Sequence, residues 1–165
     1  MACIQEKNIF SGEKPIVNMG CCPYFAFWPQ RATEVRRTTE MEINKITEII
    51  IGRAIEVHKK LGPGLLESTY VACLAYELIN AGLLVQRELA LPLTYQGIDM
   101  KIGYRLDMLV ENKVVVEIKA VEALTDVHTA QVLTYLKLSD AKVGLLINFN
   151  VLKLITGIKR LSARI

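Results

Sequence analysis

Arg105 to Ala120 reads RLDMLVENKVVVEIKA. Two apolar runs flank Glu111, Asn112 and Lys113, so the stretch reads as a β-hairpin. Three charged residues, Asp107, Glu117 and Lys119, interrupt those runs. Strand side chains alternate between faces. Val114, Val116 and Ile118 therefore share one face, and Val115, Glu117 and Lys119 share the other. Whether Asp107 joins the charged face depends on the loop. A three-residue loop over 111–113 sets Asp107 directly opposite Glu117. A two-residue loop at Asn112 and Lys113 sets it opposite Ile118, on the wrong face.

Two carboxylates facing each other across a strand pair stand about 5 Å apart and repel. Three resolutions are open in a buried site: one acid is protonated, a lysine compensates, or a divalent cation lies between them. Magnesium takes one or two carboxylates together with waters and a phosphate oxygen. Lys119 beside such an ion would hold an attacking water or counter charge on a phosphoryl group. The plainer reading is a solvated hairpin face closed by an Asp/Glu/Lys salt bridge, and the pattern D-x9-E-x-K is weak when taken alone.

Outward from the hairpin, the chain alternates helix and strand signals. Ile43, Ile46, Ile50, Ala54, Val57 and Leu61 have helical spacing, and Gly62-Pro63 ends that helix. A second helix is expected from about Gly64 or Leu65 to Asn80, with Leu66, Tyr70, Cys73, Leu74 and Leu78 on one face. Leu84 to Tyr95 and Ile98 to Val110 read as strands around a Gln96-Gly97 turn, with Pro92 marking an edge or a bulge. Thr125 is an N-cap for a third helix ending near Leu138. The run VGLLINF, Val143 to Phe149, reads as a buried strand, parallel to a neighbour. The end, Leu152 to Ile165, is mixed. The order predicts a mixed sheet flanked by helices.

Residues 1–40 differ: they hold the only tryptophan, Trp28, and show no sustained period, so they are expected to be an unstructured extension. Met41 opens the patterned region, and one reading takes it as the true start.

The 165 residues are 52% apolar, enough for one domain with a real core. No apolar run approaches the roughly 20 residues of a membrane helix. The start lacks a basic flank followed by an apolar run, so no secretory signal is read. None of Cys3, Cys21, Cys22 and Cys73 forms a C-x-x-C pair, so neither a zinc site nor a disulfide framework is read, and a reducing cytoplasm fits. A net charge of +3 permits a nucleic-acid partner without demanding one.

Other polar residues join the hairpin as candidates. Glu67 lies near a helix N-terminus, where the dipole favours a carboxylate; it is either a third acid of the site or an ordinary first-turn glutamate. Gln131 and Tyr135 are spaced i, i+4, with His128 three residues earlier. That row contacts a phosphate backbone or orients Lys119, or else is a solvated face. His58 reads as a hydrogen-bonded histidine at the core edge, Lys59 and Lys60 as solvated, and Arg87-Glu88 as a weak addition to the cleft.

LGPGLLESTY, Leu61 to Tyr70, contains G-x-x-E-x-x-Y as Gly64, Glu67 and Tyr70. With AIEVHKK before it, GYRLDMLVENKVVVEIKAVEALT and HTAQVLTYLK after it, and VGLLINFNV near the end, the chain resembles the GxxExxY protein family. That family is grouped with the PD-(D/E)XK nuclease-like superfamily, and the likeness spans about Met41 to Arg160. It implies an α/β fold with a restriction-endonuclease-like core over residues 41–165. That core is a mixed four-stranded β-sheet flanked by helices in the order αβββαβ, with an extra N-terminal helix. Asp107 matches the first motif acid, with Leu106 where proline is usual. Glu117 and Lys119 match E-x-K, Glu67 matches the N-terminal helix acid, and Gln131 and Tyr135 match the Q-x-x-x-Y of the exonuclease branch.

The resemblance implies a cytoplasmic nuclease dependent on Mg2+ or Mn2+ and acting on nucleic acid, DNA first. Asp107, Glu117 and the Ile118 carbonyl would hold the metal, and Glu67 would assist through water. Lys119 would position the nucleophilic water, and Gln131 and Tyr135 would orient substrate or Lys119. Small sheet proteins of this kind often pair, so a homodimer is a further expectation. The competing reading is a non-catalytic module that binds nucleic acid or protein on the same fold. It is favoured by the modest charge of residues 41–165, with 15 Lys and Arg against 13 Asp and Glu.

Overall fold

The computed structural model describes residues 42–163. The expected extension over residues 1–40, and Met41, lie outside the described residues.

Helix α1 spans Ile43–Leu61 and buries Ile46, Ile50, Ala54 and Val57 of the stripe its spacing predicts; Ile43 is partly buried, but Leu61, in the last turn, is 40% exposed. Gly62 ends it at φ 69°, a left-handed value that favours glycine, and donates its N–H to the His58 carbonyl at 2.8 Å. Helix α2, Glu67–Asn80, begins later than expected. Gly64 has φ 97°, and Leu66 is extended at φ −65°, ψ 144°, so the chain enters the helix only at Glu67. Leu66 is consequently 76% exposed and leaves the face it was assigned to, while Tyr70, Leu74 and Leu78 are buried. Cys73 is half-buried at the edge of that face.

The sheet contains β1 (Val85–Tyr95), β2 (Ile98–Val110), β3 (Val114–Lys119), β4 (Val143–Asn148) and β5 (Ile158–Ser162). They lie side by side in chain order. Only β3 and β4 are parallel, joined by the crossover helix α3, Asp126–Ser139. Strand β5, antiparallel to β4, corrects the expectation of four strands. A single 3₁₀ turn, Leu154–Gly157, precedes it. Its two partly buried apolar residues, Ile158 and Leu161, are three apart, so the end of the chain carries no period-2 signal.

Two cores form, one on each face of the sheet. Helices α1 and α2 cover Met108, Val110, Val114, Val116, Ile118, Leu145 and Ile147. Helix α3 covers Leu106, Leu109, Val115 and Leu146 with Val132 and Leu136. All six residues of β4 are buried, as a central parallel strand requires. Gly144 on that strand lets α3 approach closely, since a Cβ there would lie 2.5 Å from Val132 Cγ1. Pro92 is on the edge strand and at the register shift between Leu91 and Leu93, so both of its expected contexts apply. No helix among the described residues is long and apolar enough to cross a membrane.

Candidate active site

The hairpin register decides the site. Met108 pairs with Val116, Leu109 with Val115 and Val110 with Val114, which leaves a three-residue loop over 111–113. Glu111 and Asn112 take left-handed values, φ 53° each, to close it. This is the register that brings Asp107 toward Glu117 and not toward the opposite face. The ladder stops at Met108, and the next contact is made by a side chain: Asp107 Oδ2 accepts the Ile118 N–H at 2.8 Å.

Side-chain alternation slips at the same level. Leu106 and Leu109 both pack on the α3 side although they are three residues apart. On β1, Val85 packs on the α1/α2 side while Leu89 packs on the α3 side. Between them Glu88 has φ 51°, and neither Glu88 nor Asp107 appears in the pairing of the two strands. The irregularity releases Asp107 from the sheet to face the end of β3.

Glu117 is 2% exposed. Its Oε1 accepts a hydrogen bond from Lys119 Nζ at 2.5 Å, and its Oε2 is buried without a partner. Burial, then repulsion from Asp107, pushes its carboxyl up to about 7 against the lysine's opposing pull. Asp107 is raised by burial, opposed first by the Ile118 N–H. For Lys119, burial alone would lower the ammonium, but the Glu117 hydrogen bond and charge, then Glu67 and Asp107, outweigh it and the net shift is upward. One lysine thus faces three acids.

Glu67 is the third. As the first residue of α2 it lies 3.9 Å from Lys119 Nζ, with its side chain 41% exposed. Burial raises it, Lys119 opposes that rise, and Asp107 adds to it. Its placement follows from the local sequence. The Tyr70 hydroxyl donates to the Gly62 carbonyl at 2.6 Å and accepts the Leu65 N–H at 3.1 Å. The Tyr70 ring stacks on Phe149 at 4.3 Å. Tyr70 therefore ties down the glycine turn that launches α2, and Glu67 sits at the end of that tied turn.

Gln131 and Tyr135 meet as their spacing suggests, Gln131 Nε2 donating to the Tyr135 hydroxyl at 2.5 Å. Tyr135 is 3% exposed, so this row is not a solvated face. Burial raises the phenol, Gln131 opposes, and Glu117, Lys119 and Asp107 all act on it, which places it within their reach. His128 is used differently: its Nδ1 accepts the Thr125 N–H at 3.1 Å in a capping box that starts α3. His58 is 8% exposed and its Nε2 lies 2.8 Å from the Val151 carbonyl, at the core edge as expected. Lys59 and Lys60 are solvent-exposed but paired, with Glu56 and Glu77, at 2.9 Å each.

Sequence reasoning passed over Asn148, the one polar residue of the VGLLINF run. It is 2% exposed and holds Val121 at both polar groups, Nδ2 to the carbonyl at 2.7 Å and Oδ1 from the N–H at 3.1 Å. The Phe149 N–H donates to the Lys119 carbonyl at 2.8 Å. Together they fix the chain just past Lys119. The available signal was a lone amide at the carboxyl end of a buried strand, where α/β folds place their sites.

A divalent cation fits this donor set. Glu117 offers an unsatisfied buried oxygen, Asp107 a second carboxylate, and the acids exceed the single lysine. Among the described residues no three His, Cys, Asp or Glu side chains form a closed metal cage. An ion held by two carboxylates, backbone and water is the Mg2+ pattern, not the Zn2+ one.

The family model of the PD-(D/E)XK nuclease superfamily matches residues 44–161. Among solved structures, the chain is similar to one titled "Crystal structure of SSO0001", at 20% identity and a TM-score of 0.42, covering 73% of this chain and 79% of that one. No curated protein matches.

Proposed function

This chain belongs to the PD-(D/E)XK nuclease superfamily, and from that premise we propose that it is a metal-dependent nuclease that hydrolyses phosphodiester bonds of DNA. The observation that carries the reading is Glu117, a buried carboxylate with one oxygen on Lys119 and the other unpartnered, close to a second acid. Asp107, Glu117 and the Ile118 carbonyl would hold Mg2+ or Mn2+, with Glu67 reaching it through water. When bound, the ion supplies Lewis-acid stabilisation of the phosphoryl oxygens and lowers the pKa of water.

The chain's own residues do the rest. Asp107 is oriented by the Ile118 N–H. Lys119, half-buried beside the acids, holds a water by hydrogen bond and counters negative charge as it develops. Gln131 and Tyr135, locked to each other, orient the substrate or the lysine. The arrangement of Gly64, Glu67 and Tyr70, in which the tyrosine ties the turn that carries the acid, supports membership of the GxxExxY branch.

The test is hydrolysis of labelled DNA and RNA with Mg2+ or Mn2+. Cleavage by the wild type that Lys119→Ala abolishes supports the reading. Equal background from both proteins removes it. The second reading, a binding module on the same fold, is favoured by one observation: Lys119 already compensates Glu117 at 2.5 Å. Calorimetry separates the two, because a catalytic site binds Mn2+ and loses it in Asp107→Asn.

A further inference from the structure

We infer that Tyr104 is a stacking platform for an unpaired base of the substrate, so that the preferred substrate is single-stranded or locally unwound nucleic acid. This rests on the nuclease reading above and adds the class of strand that the site accepts.

Tyr104 lies on β2 opposite Leu91, on the α3 side of the sheet. It is 41% exposed, yet its ring is not loose. It meets the ring of Tyr135 edge-on, with centroids 5.7 Å apart and planes at 68°. Tyr135 is itself buried and hydrogen-bonded to Gln131. A buried, fixed ring therefore braces an exposed one, beside the acids and Lys119 that act on Tyr135. A tyrosine that served only the core would be covered, and one that served only solubility would have no ring holding it.

The chemistry of the neighbours suits a nucleotide. Arg105, next along β2, is exposed, and its charge acts on Asp107; strand alternation turns it to the face opposite Tyr104. Its charge therefore favours a phosphate chain near the acids, while Tyr104 on the α3 side answers the base. In a duplex both faces of each base are already stacked, so an open aromatic surface gains little from it. An unpaired base has a free face, and stacking on an aromatic side chain is tolerant of sequence.

The test uses the full chain carrying Lys119→Ala in Mn2+, so that the strand is bound and not cut. The probe is a single-stranded oligonucleotide containing 2-aminopurine, whose fluorescence falls on stacking. Binding is expected to quench it, with the matching blunt duplex bound at least about tenfold more weakly. Tyr104→Leu keeps apolar bulk against Tyr135 but lacks a π face; it is expected to lose the quench and weaken single-strand binding about tenfold, or about 1.4 kcal/mol. Tyr104→Phe and Tyr104→Trp are expected to retain both. Unchanged quench and affinity in Tyr104→Leu, or preference for the duplex, overturns the inference. Cleavage assays separate it from its premise. A cutting enzyme whose KM for single strands ignores Tyr104→Leu loses the platform and keeps the nuclease. Tyr104-dependent quenching without any cleavage keeps the platform and loses the nuclease.

Discussion

Asp107 Oδ2 accepts the backbone N–H of Ile118 at 2.8 Å, in the gap where β2 and β3 stop pairing. The aspartate is thus oriented by main chain, while Glu117 is the acid held by Lys119. The two carboxylates have separable roles in the fold, and substitutions can tell them apart.

Asp107→Asn retains an oxygen to accept the Ile118 N–H, so its metal-free stability is expected to stay within about 1 kcal/mol of wild type. Asp107→Ala strands that buried donor and is expected to cost about 1–3 kcal/mol. Mn2+ is expected to raise the Tm of the wild type, by an amount equivalent to about 2.7 kcal/mol at a hundredfold excess over Kd. EDTA reverses the rise, and neither Asp107 variant shows it. Thermal melts with and without Mn2+ check all three, and an undiminished Mn2+ shift in Asp107→Asn would remove the aspartate from the metal site.

The second expectation concerns pH. Glu117 in the metal-free fold is raised to about 7, well above the carboxylate of an unfolded chain. The folded state therefore retains a proton that the unfolded state releases, between about pH 4.5 and 7. Stability is full below that window and falls as pH rises through it, by roughly 3 kcal/mol at most, then levels off. Asp107 and Glu67, also raised, add the same sign. Glu117→Gln is expected to flatten the fall and to be more stable than wild type at pH 8. Urea melts at pH 5, 6, 7 and 8 check this; parallel slopes for the two proteins would contradict it.

Much of this was legible in the sequence because the relevant signals are local. The period of α1, the turn at 111–113 and the largely apolar, fully buried β4 each depend on a few neighbouring residues. The pairing of Gln131 with Tyr135 followed from one helical turn. The misses are tertiary. Leu66 fits the α2 stripe by spacing, but the left-handed Gly64 and the tied turn delay the helix past it. Strand β5 has no alternation because it is an edge covered at only two positions. The slip at Glu88 needs two strands to be seen together, since neither glutamate nor aspartate announces it alone. Asn148 matters through Val121, 27 residues away, which no window along the chain connects.

Tyr70 gives a third test. It is fully buried, and its hydroxyl closes the turn through Gly62 and Leu65. Tyr70→Phe keeps the stack on Phe149 but removes the hydroxyl that bridges the half-buried Gly62 carbonyl and the Leu65 N–H. A loss of about 0.5–1.5 kcal/mol is expected. Because that turn sets the start of α2, Glu67 should lose its place near Lys119, and cleavage should fall further than the folded fraction explains. Denaturant melts alongside cleavage rates measured well below the transition decide it. A variant that is destabilised yet cuts at the wild-type rate would show that the turn does not position Glu67.

The last test uses packing. A Cβ at Gly144 would stand 2.5 Å from Val132 Cγ1 and 3.5 Å from Leu136 Cδ2, both on α3. Those side chains are buried against the sheet, so relief must come largely from a shift of the helix. Gly144→Ala is expected to cost about 1–3 kcal/mol by overpacking. Helix α3 also carries Gln131 and Tyr135, so the same shift moves them relative to Lys119 on β3. Catalysis should therefore drop in the folded protein, while Mn2+ binding through Asp107 and Glu117, which lie on strands, should remain. A small residue in place of Val132 makes room for the added methyl: Gly144→Ala combined with Val132→Ala should recover activity relative to Gly144→Ala alone. Failure of that second change to restore any rate would mean that α3 does not transmit the strain to the site.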